Sequence, residues 1–387
     1  MTRSSIAGTI MLLCGLCFLS ATRAQAETAS PLGDPKGILK DLNTLAKQGE
    51  DDADEDLMSS VRQRVLENPG EACSTLLAAL KGAKPDDKAC AMYIWALGLT
   101  KDPRIVEDIM KVAAATKTEL VKVNAYTALG GIGGQAVSDF LLRELDKRQG
   151  DHTHLMLLIV LAELKCSEIL PKTEKLLASR KDEAGWQQRF VFGKLGDVAV
   201  PFLLTKVDDA DPMIRQNAIG LLGMWLVAPE AAKAIQGRYA QEKDPHTRQV
   251  IVLALERVQL DTDALLRFYR EIAATEKDKA VSTCICEAIS LIESLPKNLA
   301  SHQAEKKVDP VTFEKEFAKL DASSGMEGDL KTLGQYSSVE DEPKLKMLRE
   351  HILRRNSDEA FYDYEKVNSI ILYNRLLALK VQSPGAK

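Results

Sequence analysis

The chain has 387 residues, of which 45% are hydrophobic, 28% charged and only 5% aromatic, with a formal net charge of -5. This balance excludes an intrinsically disordered chain, and the acidic excess excludes the global basic field on which nucleic-acid binding relies. With so few aromatics, small and aliphatic side chains must do most of the packing, as they do in helical repeats.

The first 26 residues read as a signal peptide. Arg3 supplies a positive start, Ile6 to Leu19 is apolar, and Ala24-Gln25-Ala26 offers small residues before a cut at Glu27. The product is therefore expected to be exported, to the periplasm or outside the cell. Loss of Arg3 and Arg23 takes the net charge from -5 to -7. No later run approaches the roughly 20 apolar residues of a membrane span. The greasiest, Leu155 to Ala162, is too short, so no transmembrane segment is expected after cleavage. Five cysteines remain: Cys73, Cys90, Cys166, Cys284 and Cys286. An odd, sparse set in apolar helical contexts reads as buried free thiols; Cys73 and Cys90 are the one pair that neighbouring helices would bring together.

Residues 27–56 run from a Pro/Gly-containing start into the acidic stretch Glu50 to Asp56. Residues 57–81 read as a helix pair, and from there a period of one helix pair repeats to residue 295. Its anchors are Leu97, Leu129, Leu164, Leu195, Leu222, Leu255 and Ile289, spaced by 27–35 residues, and apolar positions at helical spacing precede each. The breaks have the right chemistry. Gly130 to Gly134 supplies residues able to adopt positive φ, as does Gly196, beside which Asp197 offers a carboxylate to the next helix. Asp102 and Asp261 are placed to cap second helices. Asp211-Pro212 and Asp244-Pro245 open first helices, with Asp as the cap and Pro at the first helical position.

Residues 193–223, GKLGDVAVPFLLTKVDDADPMIRQNAIGLLG, resemble the HEAT-like repeat of the type also found in phycobilin lyases. The Leu-Gly-Asp turn, the Ala-Val-Pro with two Leu, and the Asp-x-Asp-Pro opening followed by Arg215 and Ala218 carry the resemblance. Asp244-Pro245-His246-Thr247-Arg248 repeats the opening. The resemblance covers about residues 86–294 and implies an all-α fold: an α-solenoid of seven to eight HEAT-like helix pairs. Beyond it, residues 296–310, with Pro296, Asn298, Ser301 and Pro310, read as a linker. The C-terminal segment 311–387 reads as helical but off-repeat: a short helix from Pro310 to Leu320, another from Glu342 to Arg355, and a longer one from Ser357 or Asp358 to about Val381. Such a segment would cap the terminal repeat.

Sites of chemistry are scarce. Asp52, Asp54 and Asp56 imitate a calcium loop, but Leu57 stands where the loop needs Gly and Gln63 where it needs Glu. His152 and His154, like Cys284 and Cys286, are two apart and fall on different helix faces, which makes them poor co-ligands. Gly130 to Gly134 lacks the Lys-Ser/Thr of a phosphate loop, and no nucleophile elbow or haem motif occurs. No catalytic residue, cofactor or metal is expected. The remaining pattern lies on the second helices, registered on Val106, Val137, Leu170, Val200, Ala232 and Leu265. Their outward positions drift from Glu107, Asp108 and Lys111, through Ser138, Asp139 and Arg143, to Lys172, Lys175, Lys206, Lys233, Arg238, Arg267 and Arg270. The last seven are the candidate groove for an acidic protein partner; Glu174, Asp208 and Glu271 are the acids that would instead neutralise it. The leading functional expectation is a non-enzymatic protein–protein interaction scaffold. The alternative is a chromophore-handling or enzyme accessory protein, which the resemblance to the phycobilin-lyase repeat implies. A third is a component of an envelope complex docking through Phe361, Tyr362, Tyr364 and Tyr373.

Overall fold

The computed structural model describes residues 35–48, 54–148, 150, 152–179, 182–322, 327–353 and 358–382. The signal peptide expected over 1–26 and the cut before Glu27 lie outside the described residues, as does Asp52. Every regular element among the described residues is helical. The chain divides into two compact units, Met1–Ile169 and Leu170–Lys387, and both are built from HEAT-like helix pairs.

The first unit contains α1 (Pro35–Lys47), α2 (Glu55–Glu67), α3 (Pro69–Gly82), α4 (Lys88–Thr100), α5 (Val106–Ala115), α6 (Glu119–Ile132), α7 (Gln135–Asp146) and α8 (His152–Glu163). First helices stack on first helices, α4 on α6 and α6 on α8, while α5 and α7 each pack on a neighbouring first helix. The glycine after the Leu anchor makes this stacking possible. A Cβ on Gly98 would come within 2.8 Å of Ala128 Cβ, and one on Gly130 within 2.3 Å of Val160 Cγ1. Gly130 and Gly131 thus lie inside α6, Gly130 as a contact residue and Gly131 on the open side; the turn itself is made by Gly133 and Gly134, at φ 76° and 98°. The expectation of a turn over the whole run is corrected accordingly. The acidic N-terminal segment also contains more than charge. The amphipathic α1 buries Ile38, Leu42 and Leu45, and Asn43 Oδ1 accepts from Tyr93 Oη at 2.8 Å. Asp54 simply caps α2 through Leu57 N at 2.9 Å.

The second unit contains α9 (Glu174–Leu177), α10 (Asp182–Leu195), α11 (Val200–Lys206), α12 (Pro212–Gly220), α13 (Ala232–Tyr239), α14 (Pro245–Val258), α15 (Thr262–Ala273) and α16 (Lys279–Glu305). Beyond these lie α17 (Pro310–Ala322), α18 (Glu327–Tyr336), α19 (Glu342–Ile352) and α20 (Asp358–Gln382). First helices again stack, α12 on α14 and α14 on α16. Asp211, Asp244 and Asp278 cap them, accepting from Met213 N at 2.8 Å, Thr247 N at 2.7 Å and Ala280 N at 2.9 Å. An arginine ladder ties the pairs together. Arg215 lays its Nε and Nη2 on Glu242 at 2.8 and 2.9 Å, and Arg248 lays its own on Glu276 at 2.9 and 3.1 Å. Ser282 stands where a third arginine would, so the ladder ends at Glu276.

Several boundaries differ from expectation. Residues 296–305, read as part of a linker, continue α16 straight through Pro296. The apolar face of that helix carries on past the proline, with Ile285, Ile292 and Leu299 buried at seven-residue intervals, and packing outweighs one lost backbone hydrogen bond. Asp197 caps nothing; its carboxylate pairs with Lys346 of α19 at 2.6 Å. The C-terminal helices accordingly do more than cap the last repeat. They fold back onto the ends of first helices, where α12 runs into a π turn, Leu221–Trp225, and the chain then turns sharply at Val227 with φ 52°. The carbonyls from Met224 to Val227 at that end are met by side chains. Met224 O accepts from Arg257 at 3.3 Å, and Trp225 O accepts from Tyr364 Oη at 3.1 Å and Asn368 Nδ2 at 3.0 Å. Leu226 O accepts from Arg349 at 3.1 Å and Val227 O from Arg375 at 2.8 Å. The cations also oppose the negative end of the helix dipole.

Candidate interaction surface

The seven candidate cations all lie in the second unit, on α9, α11, α13, α15 and the 3-10 turn before α9. Each of these helices buries its anchors: Val200 and Leu203 on α11, Ala232, Ile235 and Tyr239 on α13, Leu265 and Tyr269 on α15. At about 100° per residue, positions one, two and five after the first anchor face away from the core, while position six swings to the flank. Lys172, Lys175, Lys233, Arg267 and Arg270 hold outward positions and are exposed. Lys206 and Arg238 hold the flank position and are removed from the groove. Lys206 Nζ pairs with Glu174 at 2.9 Å and Asp209 at 3.4 Å, which holds its pKa above the usual lysine value chiefly through the Glu174 hydrogen bond. Arg238 pairs with Glu242 at 3.2 Å and Asp208 at 3.5 Å.

The continuous seven-residue stripe is therefore corrected to a shorter set. Arg270 meets Glu293 at 2.8 Å, an exposed pair of the kind that contributes little. Lys175, Lys233 and Arg267 are exposed with no carboxylate partner among the described residues. Glu174 and Asp208 do neutralise part of the face, as the pairing with Lys206 and Arg238 shows, whereas no pairing among the described residues involves Glu271.

The other candidates settle into the fold. Cys73, Cys90 and Cys166 are buried and all five described cysteines are free, so Cys73 and Cys90 are not joined; Cys286 is exposed, not buried, because it lies off the apolar face of α16. Burial pushes the Cys90, Cys166 and Cys284 thiols up to about 11, which makes them poor nucleophiles. Tyr364 is no docking residue: it is buried, stacked on Trp225 with ring centroids 4.1 Å apart. Tyr373 stacks on His302, while Tyr362 is exposed; the side chain of Phe361 lies outside the described residues. Among the described residues no group of three or more His, Cys, Asp or Glu side chains is arranged to hold a metal, and no helix is long and apolar enough to cross a membrane.

One buried residue gave no signal in the sequence. Arg349 of α19 is 1% exposed, and its Nε and Nη2 meet no acceptor among the described residues. A lone arginine in an off-repeat helix has no motif around it, and only the tertiary fold shows that it is buried.

No family model matches the chain, and no curated protein matches it. Among solved structures it is similar to the complex of CpcE and CpcF of phycocyanin lyase from Nostoc sp. PCC7120, at 16% identity and a TM-score of 0.33. The likeness covers 71% of this chain and 100% of that one. At that level it bears on neither activity nor partners.

Proposed function

We propose that the chain is a non-enzymatic protein-binding scaffold, exported to the periplasm or the extracellular space, whose second unit grips an acidic segment of a partner protein. One observation carries the reading. Lys175, Lys233 and Arg267 are exposed on second-helix faces turned from the core, and no carboxylate among the described residues is paired with them, although neighbouring cations are. Cations left over after the fold has used its own acids are available to carboxylates from elsewhere.

The test reverses those three charges together, Lys175→Glu, Lys233→Glu and Arg267→Glu, and compares cross-linked capture from the native envelope fraction. Exposed charges away from caps change stability by only about 0.5 kcal/mol or less each, so the helical circular dichroism should be unchanged. The wild-type partner should be lost from the variant, and wild-type capture should weaken with salt. Full-strength capture by the reversed variant refutes the reading. Export is tested separately by N-terminal sequencing, which should find a chain beginning near Glu27.

A further inference from the structure

Three arginines of the second unit share one pattern. Nη1 donates to a backbone carbonyl, and the Nε–Nη2 edge lies on a carboxylate. Arg215 gives Nη1 to Asp209 O and Ala210 O at 2.8 and 3.0 Å and its edge to Glu242. Arg248 gives Nη1 to Glu242 O and Lys243 O, both at 3.1 Å, and its edge to Glu276. Arg375 gives Nη1 to Val227 O at 2.8 Å and its edge to Glu342 at 2.8 and 2.6 Å.

Arg349 follows the first half only. Its Nη1 donates to Leu226 O at 3.1 Å and to Asn368 Oδ1 at 2.9 Å. Its Nε and Nη2 are buried and meet no acceptor among the described residues. A guanidinium cannot shed its proton to escape burial, as a lysine can. The face of Tyr364, 5.3 Å from the guanidinium carbon, and the negative end of the π turn offset part of the charge. Neither supplies in-plane acceptors for two parallel N–H donors, the geometry that a carboxylate fits. The turn beside it is also unusual. Val227 is a β-branched residue in the left-handed region, and the preceding turn is π; such outliers gather where ligands are held.

We propose that the Nε–Nη2 edge of Arg349 binds a small carboxylate anion from solution, and that this anion locks α19 and α20 onto the Trp225–Val227 turn. Burial restricts the occupant to a small species, so formate is the probe, with gluconate as a bulky carboxylate control at equal ionic strength. Segment-resolved hydrogen exchange of the full chain is the readout. Protection in α19 and α20 should rise about tenfold for each tenfold of formate above its dissociation constant, because only the docked state holds the anion. Gluconate should have no such effect. Arg349→Met should lose the formate response, and Arg349→Lys, which keeps the charge without the fork, should lose most of it; if the Met variant does not fold, the Lys variant decides. The proposal is overturned by an absent formate response, by one that survives in the variants, or by chloride acting as well as formate.

Discussion

Replacing Glu242 by Gln isolates the ion pair that joins one helix pair to the next. The carboxylate accepts from Arg215 Nε and Nη2 at 2.8 and 2.9 Å, from Arg238 Nε at 3.2 Å and from Asp244 N at 3.0 Å. Its side chain is 1% exposed, so solvent screens little of this. Burial by itself raises the pKa; the Arg215 and Asp244 hydrogen bonds and the two guanidinium charges outweigh it and bring the group from 4.5 down to about 2. At about 1.4 kcal/mol per unit the difference is worth about 3 kcal/mol at neutral pH. Stripping one partner from a buried pair costs about 3–5 kcal/mol, which is the same size. The unfolded chain binds this proton more tightly than the folded one. The contribution is therefore complete above pH 4.5 and is lost as the pH falls toward 2. Hydrogen exchange in α12 and α14 is the assay. At pH 7 the Gln variant should exchange about a hundredfold faster there, and its acid limb between pH 4.5 and 2 should flatten. The double variant Arg215→Met, Glu242→Leu should recover most of the loss, because it removes the buried charge along with its partner. A loss under about 1 kcal/mol, which is roughly fivefold, or a double variant no better than the single one, would refute the reasoning.

Gly223→Ala tests the close stacking of first helices. Its Cβ would lie 2.2 Å from Ala254 Cβ and 2.6 Å from Ala254 Cα, so backbone must part, at a cost of about 1–3 kcal/mol in thermal unfolding. Gly82→Ala, where nothing lies within 4 Å, is the control and should cost nothing. Glu256→Gln tests a half-buried carboxyl. Burial, opposed by Arg257 and reinforced by the charge of Glu287, lifts it from 4.5 to about 7. The folded chain holds this proton more tightly than the unfolded one, so the advantage is full below pH 4.5 and lost as the pH rises to 7. Discounted for its partial exposure, the Gln variant should be about 1–2 kcal/mol more stable than wild type at pH 8, with a flatter profile between pH 4.5 and 7. An unchanged pH profile of thermal stability would remove Glu256 from this account.

The amino-acid order by itself determined the helical-repeat architecture, because its signals are local. The Leu anchors recur at the period of a helix pair, and Asp211, Asp244 and Asp261 announce helix starts, each capping within three residues of itself. The second-helix register was largely legible for the same reason: Val137, Leu170, Val200, Ala232 and Leu265 are buried as their spacing requires, whereas Val106 is half-buried and Ile105 and Ile109 hold the core positions there. What lay beyond reach was whatever depends on partners distant in the chain. Whether Lys206 belongs to a free surface rests on Glu174 and Asp209 standing beside it, and Asp197 is claimed by Lys346, 149 residues away. Pro296 reads locally as a break, yet α16 continues through it because Ile292 and Leu299 find a packed face. Arg349 is the extreme case. Its burial, its hold on Leu226 O and the unmet half of its guanidinium come from α19 folding back onto a helix end 123 residues earlier, and no local pattern encodes that return. Short-range periodicity decides which segments coil; only the assembled core decides which charges remain for another molecule.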